Sequence, residues 1–255
     1  MKKYILSFVL LAVCAEALPW GATGHRVTGF IAERYLSKRA HREVKRVLGQ
    51  ESLAVASTWM DEIRSDSTYD YAVDWHWVTI PDGMKYEQAE KNPHGDILEA
   101  IDRIVKELKG GGLALRQEQE KLKMLVHLVG DLHMPLHVGR GDDQGGNRVR
   151  VKWFRADSNL HRVWDSDMID DTKLSYTELA MSLGRPDAAG VKKLQSTNHY
   201  DWAYESMSYR AQVYTTGDGN LGYRYAYDNL PLVRRRLLEA GVRLAGLLNA
   251  IYGRG

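Results

Sequence analysis

The stretch HLVGDLHMPLH, residues 127–137, joins an apolar helical repeat to a proline and carries three potential metal ligands, His127, Asp131 and His137. Upstream of it Leu122, Leu125, Val126 and Val129 recur at helical spacing, and Pro135 cannot extend a helix. The pattern predicts a helix that stops before Pro135, with His127 and Asp131 on its last turns and His137 just beyond. Residues four apart on a helix share a face, with Cβ atoms about 6 Å apart, so this His–Asp pair can grip one divalent ion. HRVWD repeats the spacing with His161 and Asp165, and Asp61 and His76 supply two more ligands upstream.

Working outward, the chain reads as mainly α. Ile97, Leu98, Ile101, Ile104, Val105 and Leu108 keep helical spacing and stop at Gly110 to Gly112, as a glycine-terminated helix does. Ser175 with Glu178 makes a capping box, and Asn229 to Pro231 opens a long apolar C-terminal segment through Val233, Leu237, Leu244, Leu248 and Ile251. Two segments alternate instead, Val73, Trp75 and Trp77 in one and Val149, Val151 and Trp153 in the other, which predicts half-buried strands or extended loops. The glycine-rich GRGDDQGGN, residues 139–147, reads as a surface loop beside the ligands.

With 255 residues and 44% apolar content the chain can bury one substantial core, and no composition shift marks a second domain. Residues 1–19 read as a secretory signal peptide, with Lys2 and Lys3, an apolar run from Tyr4 to Val13, and small residues Ala15 and Ala17. That predicts a secreted or periplasmic protein with one domain over 20–255 and no membrane span. The cut falls after Ala17 or after Pro19, and lipid attachment at Cys14 is a minor alternative. Cys14 is the only cysteine, so the remainder can form neither an internal disulfide nor a thiolate metal site. Removing 1–19 deletes Lys2, Lys3 and Glu16 and takes the formal charge from +2 to +1, so bulk charge names no partner.

A lone buried histidine is more often hydrogen-bonded than a ligand, and one H-x-x-x-D pair is also an ordinary surface ion pair worth about 0.3–0.5 kcal/mol. Five histidines in spaced motifs or near an aspartate change that balance: His25, His76, His127, His137 and His161. His41, His94, His133 and His199 read as structural.

These motifs carry a resemblance. WGATGHR from Trp20, STWMDEIR from Ser57, H-x-x-x-D-x-x-x-P-L-H from His127, GGN at 145–147 and NLHRVWD from Asn159 occur in the order found in the zinc-dependent single-strand-specific nucleases of the S-one/P-one type. That family is related in fold to zinc-dependent phospholipases C. The resemblance implies a mainly helical single-domain fold with a minor β element, and a cluster of three zinc ions. Asp61, His76, His127 and Asp131 would hold the first, and His137, His161 and Asp165 the second. His25, Asp131 and the backbone amine and carbonyl of Trp20 would hold the third, which needs a chain beginning at Trp20.

The implied activity is hydrolysis of RNA and single-stranded DNA to products with 5′ phosphates, by in-line attack of metal-activated hydroxide, with 3′-nucleotides as second expected substrates. Asp131 would bridge two metals, Arg64 would add charge to the phosphoryl oxygens, Trp77 would stack on a base, and Asn147 would contact a base edge or hold its loop. Thr79 stands where fungal members place an aspartate that contacts the base. A monomer without a stable protein partner is expected. Two other readings stay open from the residues: a phospholipase C-like lipid hydrolase, and a non-catalytic zinc-binding protein.

Overall fold

The computed structural model describes residues 20–253, most of them helical. Residues 1–19, the expected signal peptide with Cys14, lie outside the described residues. In chain order the α-helices are α1 (Ala22–Glu33), α2 (Lys38–Leu48), α3 (Leu53–Ala56), α4 (Trp59–Glu62), α5 (Ile97–Gly110), α6 (Leu115–Leu132) and α7 (Leu160–Arg162). They continue with α8 (Met168–Asp170), α9 (Tyr176–Ser182), α10 (Ala188–Gln195), α11 (His199–Ser208), α12 (Arg210–Val213) and α13 (Tyr223–Tyr252). Strand structure is minor. β1 (Val78–Thr79) pairs in parallel with β2 (Val138–Gly139), and β3 (Arg150–Trp153) lies between antiparallel β4 (Ala156–Asn159) and parallel β5 (Asn220–Leu221).

Local signals set the helix ends. The Asp96 carboxylate accepts the backbone N–H groups of Leu98 and Glu99 to start α5, and Gly111 follows its last residue at φ 67°. Ser175 and Glu178 form the expected reciprocal capping box on α9. Polar residues fill the first turns of α6, and from Met124 to Leu132 every residue is buried. The helix therefore enters the interior end-on, carrying His127 and Asp131 with it.

Two apolar clusters make the core. One gathers α5 and the inner half of α6 with Val44, Trp75, Leu244 and Leu248; the other gathers Trp20, Val27, Ile31, Leu136, Trp164 and Leu237. Burying each large side chain of this kind contributes about 1.5–3 kcal/mol. α1 and α13 pack on each other and feed both clusters, so they form the seam between them.

A buried polar clamp ties α13 to the end of α6. The fully buried Arg236 donates from Nε to the His133 carbonyl at 3.1 Å and from Nη2 to Ser206 Oγ at 2.9 Å, while Ser206 Oγ donates to the Leu132 carbonyl at 2.7 Å. Carbonyls in the last turn of a helix have no partner inside it, and here side chains supply the missing donors. Glu205 balances the charge, receiving Arg236 Nη1 at 2.9 Å and Arg243 Nη1 at 2.6 Å. His133 is structural, as read from sequence: Nδ1 donates to the Val129 carbonyl at 2.8 Å, and Nε2 accepts from Arg243 at 3.1 Å.

Three expectations change. The alternating Val73–Trp77 segment is not a strand: Ser67–His76 is a 3-10 helix capped by Asp66, and the chain becomes extended only at Trp77. A three-residue turn buries Ala72 and Trp75 together and leaves Val73 48% exposed, against the two-residue alternation. Pro231 does not open the C-terminal helix, since α13 begins at Tyr223 and runs through it. The carbonyl deprived of an N–H partner by this proline is that of Tyr227, a residue 76% exposed, where water can serve it. His161 and Asp165 do not share a regular α-helix either, because α7 passes into a π-helical stretch at Val163–Asp167. The Val149–Trp153 segment does form strand β3, burying Val151 and Trp153 and exposing Arg150 and Lys152.

Candidate metal centre

The predicted ligands converge from six places in the chain. α1 brings His25, α4 brings Asp61, the 3-10 helix ends on His76, α6 brings His127 and Asp131, a 3-10 turn at Pro135–His137 brings His137, and the α7 region brings His161 and Asp165. All except Asp61 are buried. They form three groups, the first two sharing His127: His25, His127 and Asp131; Asp61, His76 and His127; His137, His161 and Asp165.

Asp131 lies between groups. Its Oδ1 is 3.2 Å from His25 Nε2, and its Oδ2 is 3.0 Å from His76 Nδ1 and 3.2 Å from His127 Nε2. His127 Nε2 and His76 Nδ1 are 3.1 Å apart. In the group further along, His137 Nε2 is 3.7 Å from Asp165 Oδ1, and His161 Nε2 is 4.0 Å from Asp165 Oδ2. Bonds of about 2.0–2.2 Å in a tetrahedron put neighbouring ligand atoms roughly 3.3–3.6 Å apart. The observed separations bracket that value.

Backbone carbonyls fix the outward face of three of the five rings. Nδ1 of His127 donates to the Ser57 carbonyl at 2.7 Å, Nδ1 of His137 to the His76 carbonyl at 2.6 Å, and Nδ1 of His161 to the Gly145 carbonyl at 2.8 Å. A proton held at Nδ1 leaves Nε2 as the lone-pair nitrogen facing inward, which is how metal-ligating imidazoles are oriented. Gly145 holds its carbonyl there with φ 59°, where a side chain would run into the carbonyl of Leu136. Gly130 clears space on the other side, since a Cβ there would sit 2.9 Å from His25 Nδ1.

Buried atoms inside the cluster lack hydrogen-bond partners: His25 Nε2, Asp61 Oδ1, Asp131 Oδ1, His137 Nε2 and both carboxylate oxygens of Asp165. Buried polar atoms are ordinarily satisfied, so this inward-facing set of nitrogens and oxygens fits divalent cations. The titration behaviour of the bare cluster shows the same conflict. Burial drives His25 and His76 down to about 4 and His161 down to about 3. Burial opposes charging His137 too, but the negative charges of Asp131 and Asp165 push it up to about 9. Burial pushes Asp165 up to about 8, whereas the charges of His127 and His137 overcome burial at Asp131 and hold it well below the usual carboxylate range. Burial works against charge on His127 as well, yet Asp131 and Asp61 raise it.

The remaining predicted residues surround this cluster. Arg64 sits in a 3-10 turn just after α4, with Nε 3.3 Å from Asp61 Oδ1. Together with His76, Trp77, Met60, Tyr69 and Val73 it lines a cleft of about 300 Å³, and Trp77 is 39% exposed beside the buried His76. Asn147 is half-buried and donates from Nδ2 to the Gln144 carbonyl at 2.9 Å, so its amide braces the glycine-rich loop. That loop is only partly at the surface, because Asp143, Gly145 and Gly146 are buried. The Trp20 ring is fully buried, its indole N–H bonded to the Gly130 carbonyl at 2.7 Å, and the next N–H, from Gly21, reaches the Asp165 carbonyl at 2.7 Å.

Sequence reasoning named the side chains that the fold brings together but missed what orients them: Ser57, Gly130, Gly145 and the carbonyl of His76. Glycines were the only visible hint, because any residue can supply a carbonyl. Among the described residues no helix is long and apolar enough to cross a membrane.

Residues 20–253 match the family model described as S1/P1 Nuclease. The chain is 30% identical to Endonuclease 4 of Arabidopsis thaliana over 96% of this chain and 93% of that protein. It is 25% identical to Nuclease S1 of Aspergillus oryzae, covering 96% of each. Identity to Nuclease P1 of Penicillium citrinum is 26%, over 92% of this chain and 98% of that protein.

Proposed function

The chain belongs to the S1/P1 nuclease family, and from that membership we propose an exported, monomeric zinc-dependent phosphodiesterase that cleaves RNA and single-stranded DNA to 5′-phosphate products and also dephosphorylates 3′-nucleotides. The observation that carries this reading is the position of Asp131, whose two oxygens face different histidines. One carboxylate so placed can join two cation sites.

Asp61, His76, His127 and Asp131 would hold one zinc, and His137, His161 and Asp165 a second. His25, Asp131 and the amine and carbonyl of Trp20 would hold a third. Use of that amine requires the chain to begin at Trp20, so the reading includes removal of 1–19 and a single nuclease domain over 20–255. Bound zinc would supply Lewis acidity and activation of water near neutral pH.

The chain's own groups do the rest. The carbonyls of Ser57, His76 and Gly145 fix three rings and their tautomers, so the inward nitrogens need not reorganise during turnover. Arg64, at the mouth of the cluster, donates to the phosphoryl oxygens as negative charge grows on them. The exposed Trp77 offers its face to an unstacked base; a paired duplex hides base faces, which favours single strands. Hydrolysis forms a bond from water oxygen to phosphorus and breaks the bond to the 3′ oxygen, which leaves with a proton.

The test is zinc counting combined with a substrate panel of single-stranded DNA, RNA, a 3′-nucleotide and phosphatidylcholine, on wild type and His127→Ala. Zinc-dependent cleavage of the nucleic acids, lost in the variant, is expected. Cleavage of the lipid alone, or full zinc loading without any hydrolysis, would sink the reading.

A further inference from the structure

The pair β1–β2 links the two halves of the cluster. β1 begins two residues after His76, and β2 begins directly after His137. In the parallel register Val78 lies opposite Val138 and Thr79 opposite Gly139, which sets the two histidine-bearing segments side by side. The His137 ring then donates to the His76 carbonyl at 2.6 Å, and the Ile80 N–H reaches the Gly139 carbonyl at 2.9 Å. Two strands of two residues each make too few ladder bonds to hold their own register.

An outside group supplies the missing bonds. Arg210, the first residue of α12 and only 4% exposed, donates from Nη1 to the carbonyl of Ile80 at 2.9 Å and to that of Val138 at 3.0 Å. One guanidinium nitrogen thus bridges both strands. Its Nη2 pairs with Asp82 at 2.9 Å, where the carboxylate side chain is 69% exposed. α12 also packs against the Pro135–His137 turn, and the Arg140 guanidinium stacks at 3.8 Å on Tyr214, the residue after α12. The same short helix therefore braces β2, the turn that carries His137, and the start of the loop that delivers the Gly145 carbonyl to His161.

We propose that Arg210 is a positioning residue for the metal centre: by bridging the Ile80 and Val138 carbonyls it fixes the register of β1 and β2, and with it the spacing of His76 and His137. The proposal rests on the zinc nuclease reading for what the histidines hold, and on the geometry above for what Arg210 does. Lysine replaces it only in part, because a single ammonium on a flexible stem does not reproduce the planar guanidinium.

The experiment compares Arg210→Met, Arg210→Lys, Asp82→Asn and Leu248→Val in the zinc-loaded protein. Leu248 is a buried core residue of α13 and serves as a control for lost stability alone. Zinc retention is read by chelator competition, folding by circular dichroism and Tm, and turnover as separate kcat and KM on single-stranded DNA. Arg210→Met is expected to weaken zinc retention about 10- to 100-fold, the usual cost of losing a group that orients metal ligands. kcat should fall with little change in KM, because Arg210 touches no substrate, and Arg210→Lys should recover only part of the loss. Asp82→Asn should match wild type, and Leu248→Val should lower Tm without releasing zinc. If Arg210→Met does not fold, Arg210→Lys carries the test, and zinc retention equal to wild type in the lysine variant overturns the proposal. Zinc release in Leu248→Val matching that of Arg210→Met at equal Tm overturns it too. A wild type that holds zinc yet cleaves no nucleic acid defeats the nuclease reading and leaves the retention comparison intact.

Discussion

His25 Nε2 lies 3.2 Å from Asp131 Oδ1, with both side chains fully buried, where α1 meets the inner end of α6. The other oxygen of Asp131 faces His76 and His127, so one side chain serves two groups. Asp131→Asn keeps the shape and removes the charge. It is expected to release more metal than Asp61→Asn does, and to lower kcat by more than the about 10- to 100-fold typical of outer-shell changes. Metal analysis beside kinetics checks this; equal metal release from the two variants would contradict a bridging role.

Arg64 stands at the mouth of the cluster beside Asp61. If it stabilises charge on the phosphoryl group, Arg64→Ala should cost about 100-fold or more in kcat, as removal of a preorganised donor does, while zinc content stays at the wild-type level. Arg64→Lys should restore part of the rate. A change confined to KM would show that Arg64 assists ground-state binding only.

Trp77 offers an exposed ring next to the buried His76. Stacking of a base on an aromatic face contributes about 1–3 kcal/mol, so Trp77→Ala should lower kcat/KM on single-stranded DNA by roughly 5- to 150-fold, and Trp77→Phe by far less. Inorganic phosphate should inhibit both variants as it inhibits wild type, since it has no base to stack. Equal losses in Trp77→Ala and Trp77→Phe would argue against stacking.

Glu205 tests the clamp behind α6. Burial opposes its ionisation, but the hydrogen bond and charge of Arg243, with help from Arg236, hold it below its ordinary value of 4.5. A carboxyl with a depressed folded pKa adds stability that is present above the unfolded pKa and fades as pH falls through the folded one. The Tm gap between wild type and Glu205→Gln should therefore be full at pH 7, shrink below about pH 4.5, and narrow further with acid. Thermal melts of the metal-free protein at several pH values measure it; a gap that widens with acid would refute the pairing as the source of the stability.

The sequence by itself determined the end of α6 before Pro135, the glycine stop of α5 and the capping box of α9, and it named the histidines and aspartates that the fold gathers. Each follows from bonds within a few residues: a proline without an N–H, a carboxylate over a first turn, an apolar face repeating every three to four residues. The same local rules misread Val73–Trp77, because alternating hydrophobicity cannot reveal that a three-residue turn buries Trp75 against α5 and leaves Val73 outside. Only the tertiary structure decided which oxygen of Asp131 meets which histidine, which nitrogen of each ring faces inward, and how His76 and His137 come to lie side by side. Those relations run through backbone carbonyls at Ser57, His76 and Gly145 and through a guanidinium some seventy residues beyond His137. Every residue type carries a carbonyl, so no spacing or composition marks the ones that orient a ligand; packing alone brings them within reach.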